Sequence, residues 1–328
     1  MKRVYHKGSE QQSIISGMIL VTGGTGFIGR ALVRHLYASG YPVRTLLRPS
    51  PRTPRLPRGV PVEAAVVSLS DQRGLRAALR DIDTVIHLAG SEWQGRRANL
   101  LETDIQGTLN LAQASKDAGI GRFIYISHIG ADRASAFPVH KAKGIAEEHI
   151  RKSGVPYTII RSSIVFGPED HFTTDLAALL RISPGFFFTP VNGQTLVQPL
   201  WVEDLVTSMV WAMEKPDTLD QTYEIGGSEY FTMRQVMTTI MDVIRVRRVL
   251  LSAPAPFLRS LIVTLETFFP GYPLSSFWVD YAAVNRTCPV DNLPRTFGLM
   301  PARFAYRLNY LERKPLSQRI QEAFRFSR

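Results

Sequence analysis

The sequence contains a single cysteine, Cys288, among its 328 residues. One thiol excludes internal disulfides and metal sites built from several cysteines, and it fits a reducing compartment. Long hydrophobic runs are also lacking, because no stretch approaches the roughly 18 apolar residues that a membrane span needs. Residues 1–17 show no apolar signal-peptide core. We therefore expect a cytoplasmic protein in which Cys288 is a small buried apolar residue.

Several catalytic and binding motifs are missing as well. No two of the seven histidines have the H-x-x-x-H spacing of a helical metal site. No G-x-S-x-G segment marks a serine hydrolase, no G-x-x-x-x-G-K-[ST] marks a P-loop, and nucleic-acid-binding motifs do not occur. We predict neither a metal site nor a nucleic-acid partner.

Acidic residues are scarce in the C-terminal quarter. The formal net charge is +11, and residues 245–328 contain thirteen Lys and Arg against five Asp and Glu, an excess of eight. Aromatic residues are frequent in the same stretch. Basic charge combined with aromatic rings is typical of surfaces that dock onto a protein complex or an anionic membrane, so peripheral membrane association is one expectation. A solvated basic face is the alternative.

Residues 19–30, ILVTGGTGFIGR, join an apolar strand to a helix through a glycine-rich turn. Gly23 permits a tight turn, Gly26 permits close approach to a pyrophosphate, and Gly29 permits close packing of the helix on the sheet. The phosphates would bind at the helix N-terminus, where free N–H groups and the helix dipole favour anions. The segment therefore predicts a dinucleotide site, in preference to a simple turn.

The residue after the second predicted strand indicates which dinucleotide is bound. This strand, residues 43–47, is followed by Arg48, nineteen residues past Gly29. NAD-binding folds place an acidic residue there to bond the ribose hydroxyls, whereas an arginine pairs with a 2'-phosphate. We predict NADP(H) over NAD(H). Residues 48–61 contain four arginines and five prolines, and form either a stiff exposed loop or a phosphate clamp with Arg52 as a second contact.

Strands and helices alternate through the first half of the chain. After the first strand, the predicted strands cover residues 43–47, 62–67 (expected to be buried), 84–90, 122–127 and 157–161. This alternation predicts an α/β fold with a doubly wound parallel Rossmann sheet. We expect a disordered lead over 1–17, a dinucleotide-binding core over 18–165, and a smaller C-terminal α/β region over 166–328, interleaved with the core and ending in the basic, aromatic tail.

The fourth predicted strand ends in small residues. Ala89 and Gly90 leave room for a flat cofactor to cross the carboxyl edge of the sheet. His87 precedes the end of the strand and is expected to be a packed histidine rather than a base. In the C-terminal region, five aromatic residues could line an apolar pocket or equally belong to the core: Phe186, Phe187, Phe188, Trp201 and Phe231.

Seven motifs occur in one order along the chain. They are TGGTGFIG (22–29), HLAG (87–90), DIQGT (104–108), ISHIGAD (126–132), the lysine at 141, IIRSSIVFGPED (159–170) and VED (202–204). The set resembles the extended and atypical short-chain dehydrogenase/reductase superfamily, of NAD-dependent epimerase/dehydratase type. GAD, FGPEDHF (166–172) and the proline- and aromatic-rich tail most closely resemble the nucleotide-binding accessory subunit of respiratory complex I and its bacterial relatives.

The resemblance implies a set of cofactor contacts. The glycine turn would bind the pyrophosphate, Ala89 and Gly90 would face the cofactor, and the backbone near residue 163 would bind the carboxamide. Ser127 and Lys141 would reach the nicotinamide ribose. The implied residues are Gly23, Thr25, Gly26, Phe27, Ile28, Gly29, Arg48, Ala89, Gly90, Ser127, Lys141, Ser163 and Ile164.

The resemblance also shows departures at the reacting centre. Such dehydrogenases use a Tyr four residues before the Lys as general acid/base, and the Lys lowers the pKa of the phenol. Here Lys141 is retained, but Phe137 stands in place of the Tyr. The assisting hydroxyl aligns with Ile129, and the Asn of the central helix is replaced by Asp104. These changes indicate that cofactor binding was kept and the Tyr-dependent chemistry was not.

Other side chains near this centre are weaker candidates for proton transfer. His140 lies next to Lys141 and has a suitable unperturbed pKa, while Tyr125 and His128 are poorer choices. A structural role is favoured for all three. The sequence therefore predicts an NAD(P)H-binding accessory or regulatory subunit. The alternative is an active NADPH-dependent oxidoreductase, dehydratase or epimerase with a substitute acid/base.

Overall fold

The structure is a computed structural model that describes residues 17–51, 53–92, 94, 98–190, 193–268 and 276–312. Arg52, the second predicted phosphate contact, lies outside the described residues. The predicted lead, apart from Gly17, and the part of the basic tail beyond residue 312 also lie outside them.

Seven parallel strands form the central sheet, in the order β11-β6-β5-β4-β1-β2-β3. Their bounds are β1 Met18–Thr22, β2 Val43–Leu47, β3 Glu63–Val66, β4 Ile82–His87, β5 Arg122–His128, β6 Tyr157–Ser162 and β11 Gln221–Ile225. The strand order reverses between β1 and β4, and ligands of doubly wound sheets bind at such a switch point. The predicted α/β fold is confirmed.

Helices cover both faces of this sheet. The bounds are α1 Phe27–Ala38, α2 Gln72–Ala78, α3 Gly107–Asp117 (preceded by a π-helical segment Leu100–Gln106), α4 Pro138–Ser153 and α6 Val202–Glu214. One core cluster joins α1 and α6 to the sheet. Another joins α2, α3 and α4 to the opposite face. The carboxyl edge of the strands stays open between these layers.

The third strand differs from its prediction as a buried strand. β3 lies at the edge of the sheet, and three of its four residues are exposed. An edge strand is covered by a neighbour on one side only, so its side chains stay accessible even when the strand is apolar. Its composition, EAAV, carries no signal that separates an edge position from a central one.

The C-terminal elements build a second core beside the sheet. The further helices are α5 Thr173–Ile182, α7 Met233–Ile244, α8 Ala255–Phe268, α9 Ser276–Tyr281 and α10 Asn292–Phe297. The short strands are β7 Val165–Phe166, β8 Phe186–Pro190, β9 Leu196–Val197, β10 Leu200–Trp201, β12 Phe231–Thr232 and β13 Val249–Ala253. Among the described residues, no helix has the length and apolar character to span a membrane.

A buried carboxylate on α4 ties three elements of the sheet layer together. Glu147 is fully buried and accepts a hydrogen bond of 2.7 Å from Ser127 on β5. Arg161 on β6 donates two bonds to it, of 3.0 and 2.8 Å. Arg151 contributes a second cation at 2.9 Å. A buried carboxylate is tolerated only with such partners.

We expect Glu147→Gln to destabilise the protein by about 3 kcal/mol, because the charge that compensates Arg161 is lost in a buried site. Glu148→Gln is the matched control. Glu148 bonds Arg133 and Lys152, whose side chains are 71% and 72% exposed, so its loss should cost far less than the loss of Glu147. Denaturant unfolding of both variants measures the difference, and equal losses would contradict the role of Glu147.

Candidate functional site

A cleft of about 820 Å³ lies at the carboxyl ends of β1, β2, β4 and β6. This volume is within the usual range of ligand and cofactor sites. Most of the predicted cofactor residues line it: Gly23, Thr25, Gly26, Phe27, Ile28, Gly29, Arg48, Ala89, Gly90, Ser163 and Ile164. Ser127 and Lys141 do not. The sequence motifs therefore converge on one cavity at the switch point of the sheet.

The glycine turn shapes the floor of the cleft. Gly23 has a φ of +72°, a left-handed conformation that suits glycine. A Cβ at Gly29 would lie 2.1 Å from the carbonyl oxygen of Gly23, so only glycine permits this approach of α1 to the turn. The same atom at Gly26 would lie 3.3 Å from that oxygen, a tight contact that a shift of a few tenths of an ångström would relieve. Close packing thus constrains Gly29 much more strictly than Gly26.

The first turn of α1 is suited to an anion. No side chain caps this helix, and its first turn carries no acidic residue. Thr25, Phe27 and Ile28 line the cleft at this point. Uncapped backbone N–H groups at a helix N-terminus form a ready site for phosphate oxygens.

The far end of the cleft, beyond β2, is basic. Arg48 and Arg55 line it together with Ser50 and Thr53. No described lining residue between Leu46 and Arg55 is acidic. This end therefore offers cations and hydroxyl groups to a ligand, without the carboxylate that bonds ribose hydroxyls in NAD-selective sites.

Ser127 points away from the cleft. Successive residues of a strand face opposite sides of a sheet, and on β5 the cleft-lining residues are Ile126 and His128. Ser127 is fully buried on the other face, where its hydroxyl donates to Glu147. Its predicted contact with the nicotinamide ribose is therefore corrected to a structural bond within the layer of α4.

The predicted contact of Lys141 with the nicotinamide ribose is corrected as well. It is exposed on α4 and does not line the cleft. Lys143, two residues later, is buried and lines it. Two residues advance a helix by about 200°, so the two side chains lie on nearly opposite faces. The lysine of this site is Lys143.

This shift also changes which residue stands four positions before the lysine. That residue is Val139, which packs against the second core, rather than Phe137. Phe137 instead lies below the Arg286 guanidinium, 5.3 Å from the ring centroid. Both Val139 and Phe137 lack a hydroxyl group. The site therefore has no phenol at the position the resemblance assigns to the acid/base.

Lys143 is held in a buried charge cluster. Its Nζ atom lies 3.7 Å from Glu92 Oε2 and 3.7 Å from Asp104 Oδ1. Glu92 also faces His128, at 3.6 Å from Oε1 to Nε2. Within the described part of the chain, Glu92 Oε2, Asp104 Oδ1 and both His128 nitrogens are buried without a hydrogen-bond partner. The cluster thus has polar atoms available to a bound ligand.

The charge states follow from burial and from these neighbours. Burial raises the pKa of Glu92, but attraction to Lys143 and His128 outweighs it and holds the pKa well below its usual range. Burial lowers the pKa of Lys143, but Glu92 and Asp104 reverse the effect and keep the ammonium charged. Burial raises the pKa of Asp104, and Lys143 offsets part of this rise. Lys143 is therefore a cation that is ion-paired with Glu92 and Asp104.

The histidines named in the sequence lie in three different settings. His87 is fully buried, where it bonds Thr22 at 2.6 Å and Thr108 at 2.9 Å. Burial lowers its pKa to about 3, so it is a neutral packing residue. His140 does not line the cleft, and burial together with Arg286 lowers its pKa. His128 lines the cleft, and burial lowers its pKa too.

Some cleft residues carried no recognised signal in the sequence. Glu92 follows β4 in a loop, and Phe277 and Tyr281 come from α9, more than seventy residues past VED, the last motif in the chain. His171 also lines the cleft just before α5 and belongs to the FGPEDHF motif, although the sequence assigned it no contact. Among the described residues, no group of three or more His, Cys, Asp or Glu side chains is arranged to hold a metal.

Comparisons with known proteins agree with this geometry. Residues 23–176 match a family model described as NAD(P)H-binding. The mouse mitochondrial NADH dehydrogenase [ubiquinone] 1 alpha subcomplex subunit 9 is 29% identical over 299 residues, 88% of this chain and 76% of that protein. The ceramide reductase of Caulobacter vibrioides is 27% identical over 88% of this chain and 83% of its own.

A solved structure gives the same fold. The UDP-glucose 4-epimerase of Thermus thermophilus, in complex with NAD, aligns with a TM-score of 0.67 at 20% identity, covering 90% of this chain and 97% of its own. This likeness shows that the two chains share a fold. The family model independently identifies residues 23–176 as an NAD(P)H-binding domain.

The two glycines of the turn give a test of the site. We expect Gly26→Ala to fold normally but to bind NADPH at least about tenfold more weakly, about 1.4 kcal/mol, because the methyl group occupies the approach of the pyrophosphate. Gly29→Ala should also lower the melting temperature of the free protein by several degrees, since its Cβ meets a backbone carbonyl. Calorimetric titration and thermal melts measure both, and unchanged NADPH affinity in Gly26→Ala would contradict the assignment.

Proposed function

We propose that this protein holds NADP(H) across the cleft as a firmly bound cofactor, and that it acts as an accessory or regulatory subunit without Tyr-dependent chemistry. The observation that supports the proposal is the pairing of Lys143 with two carboxylates. In the dehydrogenases that this chain resembles, the lysine serves the acid/base phenol. Here its ammonium lies 3.7 Å from each of two buried carboxylates, and Val139 precedes it by four residues.

The preference for NADP(H) is supported by the basic end of the cleft. Arg48 directly follows β2, and Arg55 lines the same end. A 2'-phosphate carries the negative charge and acceptor oxygens that arginine binds in charge-assisted hydrogen bonds. NAD(H) lacks that phosphate and would leave the arginines without this partner.

The accessory role is supported by the named relatives and by the charge distribution. The mouse relative is named as a subunit of NADH dehydrogenase, and the similarity covers 88% of this chain. Residues 245–328 carry most of the net positive charge, an excess of eight out of a total of +11. We propose that this part docks onto a larger protein complex or an anionic membrane surface, from the cytoplasmic side. The dinucleotide would then stabilise the subunit.

A second function, an NADPH-dependent reductase, is favoured by one contact. His128 and Glu92 both line the cleft, and Glu92 Oε1 lies 3.6 Å from His128 Nε2. The nicotinamide, when bound, would supply a hydride to a carbonyl carbon. His128 in its protonated form would donate a proton to the carbonyl oxygen, and Glu92 would stabilise and orient the imidazolium ring, against the lowering of its pKa by burial.

These two functions give opposite results in one experiment. We expect NADPH to raise the melting temperature, because a ligand that binds only the native state stabilises it. NADPH should not be oxidised above the buffer rate in the presence of ketones, quinones or nucleotide sugars. Other subunits should co-purify with the protein. Turnover that disappears in His128→Asn but persists in His140→Asn, with NADPH binding intact in both, would establish the reductase instead.

The cofactor preference has its own test. We expect Arg48→Asp to lower the ratio of NADPH to NADH affinity by about tenfold or more, because a carboxylate repels the 2'-phosphate and accepts bonds from ribose hydroxyls. Arg58→Asp is the matched control, since Arg58 is an exposed residue of the same loop that does not line the cleft. Calorimetric titration of each variant with both nucleotides gives the ratio. An equal ratio of NADPH to NADH affinity in the two variants would contradict the proposed preference for NADP(H).

A further inference from the structure

A second cavity, of about 350 Å³, lies between α5, β8, α7, α8 and α9. Apolar side chains such as Leu176, Met237 and Ile262 form most of its wall. Among its described lining residues, the titratable or hydroxyl-bearing side chains are His171, Asp175 and Ser183. An apolar cavity of about 150 Å³ already holds a benzene ring. This cavity is therefore large enough for a ligand and too apolar for a cluster of ordered waters.

The cavity is elongated along α5. Residues of one helical stripe line it from Phe172 through Leu176 and Leu179 to Ile182. Ten residues of α-helix span roughly 15 Å, at 1.5 Å for each residue. A cavity of this length and volume is narrow, so it suits an extended hydrocarbon chain better than a compact ring.

The polar end of the cavity adjoins the dinucleotide cleft. His171 lines both cavities, and its Nδ1 atom lies 3.2 Å from Asp175 Oδ2. The short helix α9 forms the partition. Phe277 and Tyr281 face the cleft, whereas Trp278 faces the apolar cavity.

The opposite end opens onto an apolar surface. Ile182 is 75% exposed at the end of α5, and Leu261 on α8 is 38% exposed. The rings of Phe186 and Phe188 pack edge to face beside them, with centroids 5.5 Å apart. Large apolar side chains at the mouth of an apolar cavity mark an entrance for an apolar ligand.

We propose that this cavity binds the hydrocarbon chain of a single-chain amphiphile, whose polar end lies at His171 beside the bound dinucleotide. The proposal extends the proposed function, because it names the class of ligand that shares the site with NADP(H). The hydrocarbon chain of the ligand would cover the apolar wall of the cavity and so remove it from water. The polar end of the ligand would lie next to His171 and Asp175.

The probe for this site is 11-(dansylamino)undecanoic acid, used below its micellar concentration with the full chain saturated with NADPH. Saturable one-to-one binding with enhanced, blue-shifted dansyl emission is expected, with displacement by dodecanoate. Ala282→Leu should weaken binding at least tenfold, because Ala282 is buried and lines the cavity. Ala283→Leu is the matched control, since Ala283 is not a lining residue.

A second pair of variants lies at the surface, where folding is not at risk. Leu261→Gln should weaken binding, because Leu261 lines the mouth of the cavity. Phe257→Gln should not, because Phe257 is 55% exposed on the same helix and does not line the cavity. Vesicle binding that depends equally on Leu261 and Phe257, without binding of the monomeric probe, would replace the proposal by a membrane-docking surface.

NADPH binding, measured by thermal shift on the same samples, separates the two proposals. An NADPH shift without saturable probe binding, or equal probe affinity in Ala282→Leu and Ala283→Leu, overturns the amphiphile site and leaves the dinucleotide site standing. Probe binding without an NADPH shift overturns the dinucleotide proposal and retains the cavity.

Discussion

The contact between the glycine turn and the first helix is the constraint on which the site depends. A Cβ at Gly29 would meet the carbonyl oxygen of Gly23 at 2.1 Å, so only a glycine allows α1 to begin directly against the end of β1. This approach aims the N–H groups of the first turn of α1 into the cleft, next to the switch point of the sheet. A helix displaced by even one methyl group would direct that anion site elsewhere.

The second constraint on the site is a pair of buried charged residues on one face of α4. Lys143 and Glu147 are one turn apart, and both are buried. Glu147 faces Ser127 and Arg161, where it joins β5 and β6. Lys143 faces Glu92 and Asp104 at the cleft. One helix thus supplies a structural anion and a site cation, and the rigidity of the first fixes the position of the second.

The parts of the fold that depend on local backbone chemistry were predictable. The glycine turn, the alternation of strands and helices, and the place of Arg48 after β2 all follow from short segments whose spacing determines where they lie in a doubly wound sheet. The lysine of the site was assigned two residues too early on α4, because Lys141 was expected at the cleft and Lys143 lines it. Lysine and glutamate spaced four apart normally mark a solvated helix face, so Lys143 and Glu147 carried a signal opposite to their burial.

Other errors came from information that no short segment contains. Successive side chains of β5 point to opposite faces of the sheet, so a one-residue shift in the alignment moves Ser127 from one face to the other. The exposure of β3 depends on its place at the edge of the sheet. Phe277 and Tyr281 reach the cleft through the packing of the second core, and α9 contains no motif that anticipates this. Glu92 and Lys143 are also far apart in the sequence, and only the folded loop after β4 brings them together.

The position of α9 links the two cavities physically. Tyr281 and Phe277 form part of the cleft wall, while Trp278 on the same six-residue helix forms part of the apolar cavity. A ligand that shifts α9 to fill the cavity changes the wall against which the dinucleotide packs. Thermodynamic linkage requires the converse effect to be equal, so each ligand would alter the affinity for the other by the same factor. Under the proposed accessory function, such a coupling would need only differential binding of the two ligands and no proton donor opposite the nicotinamide.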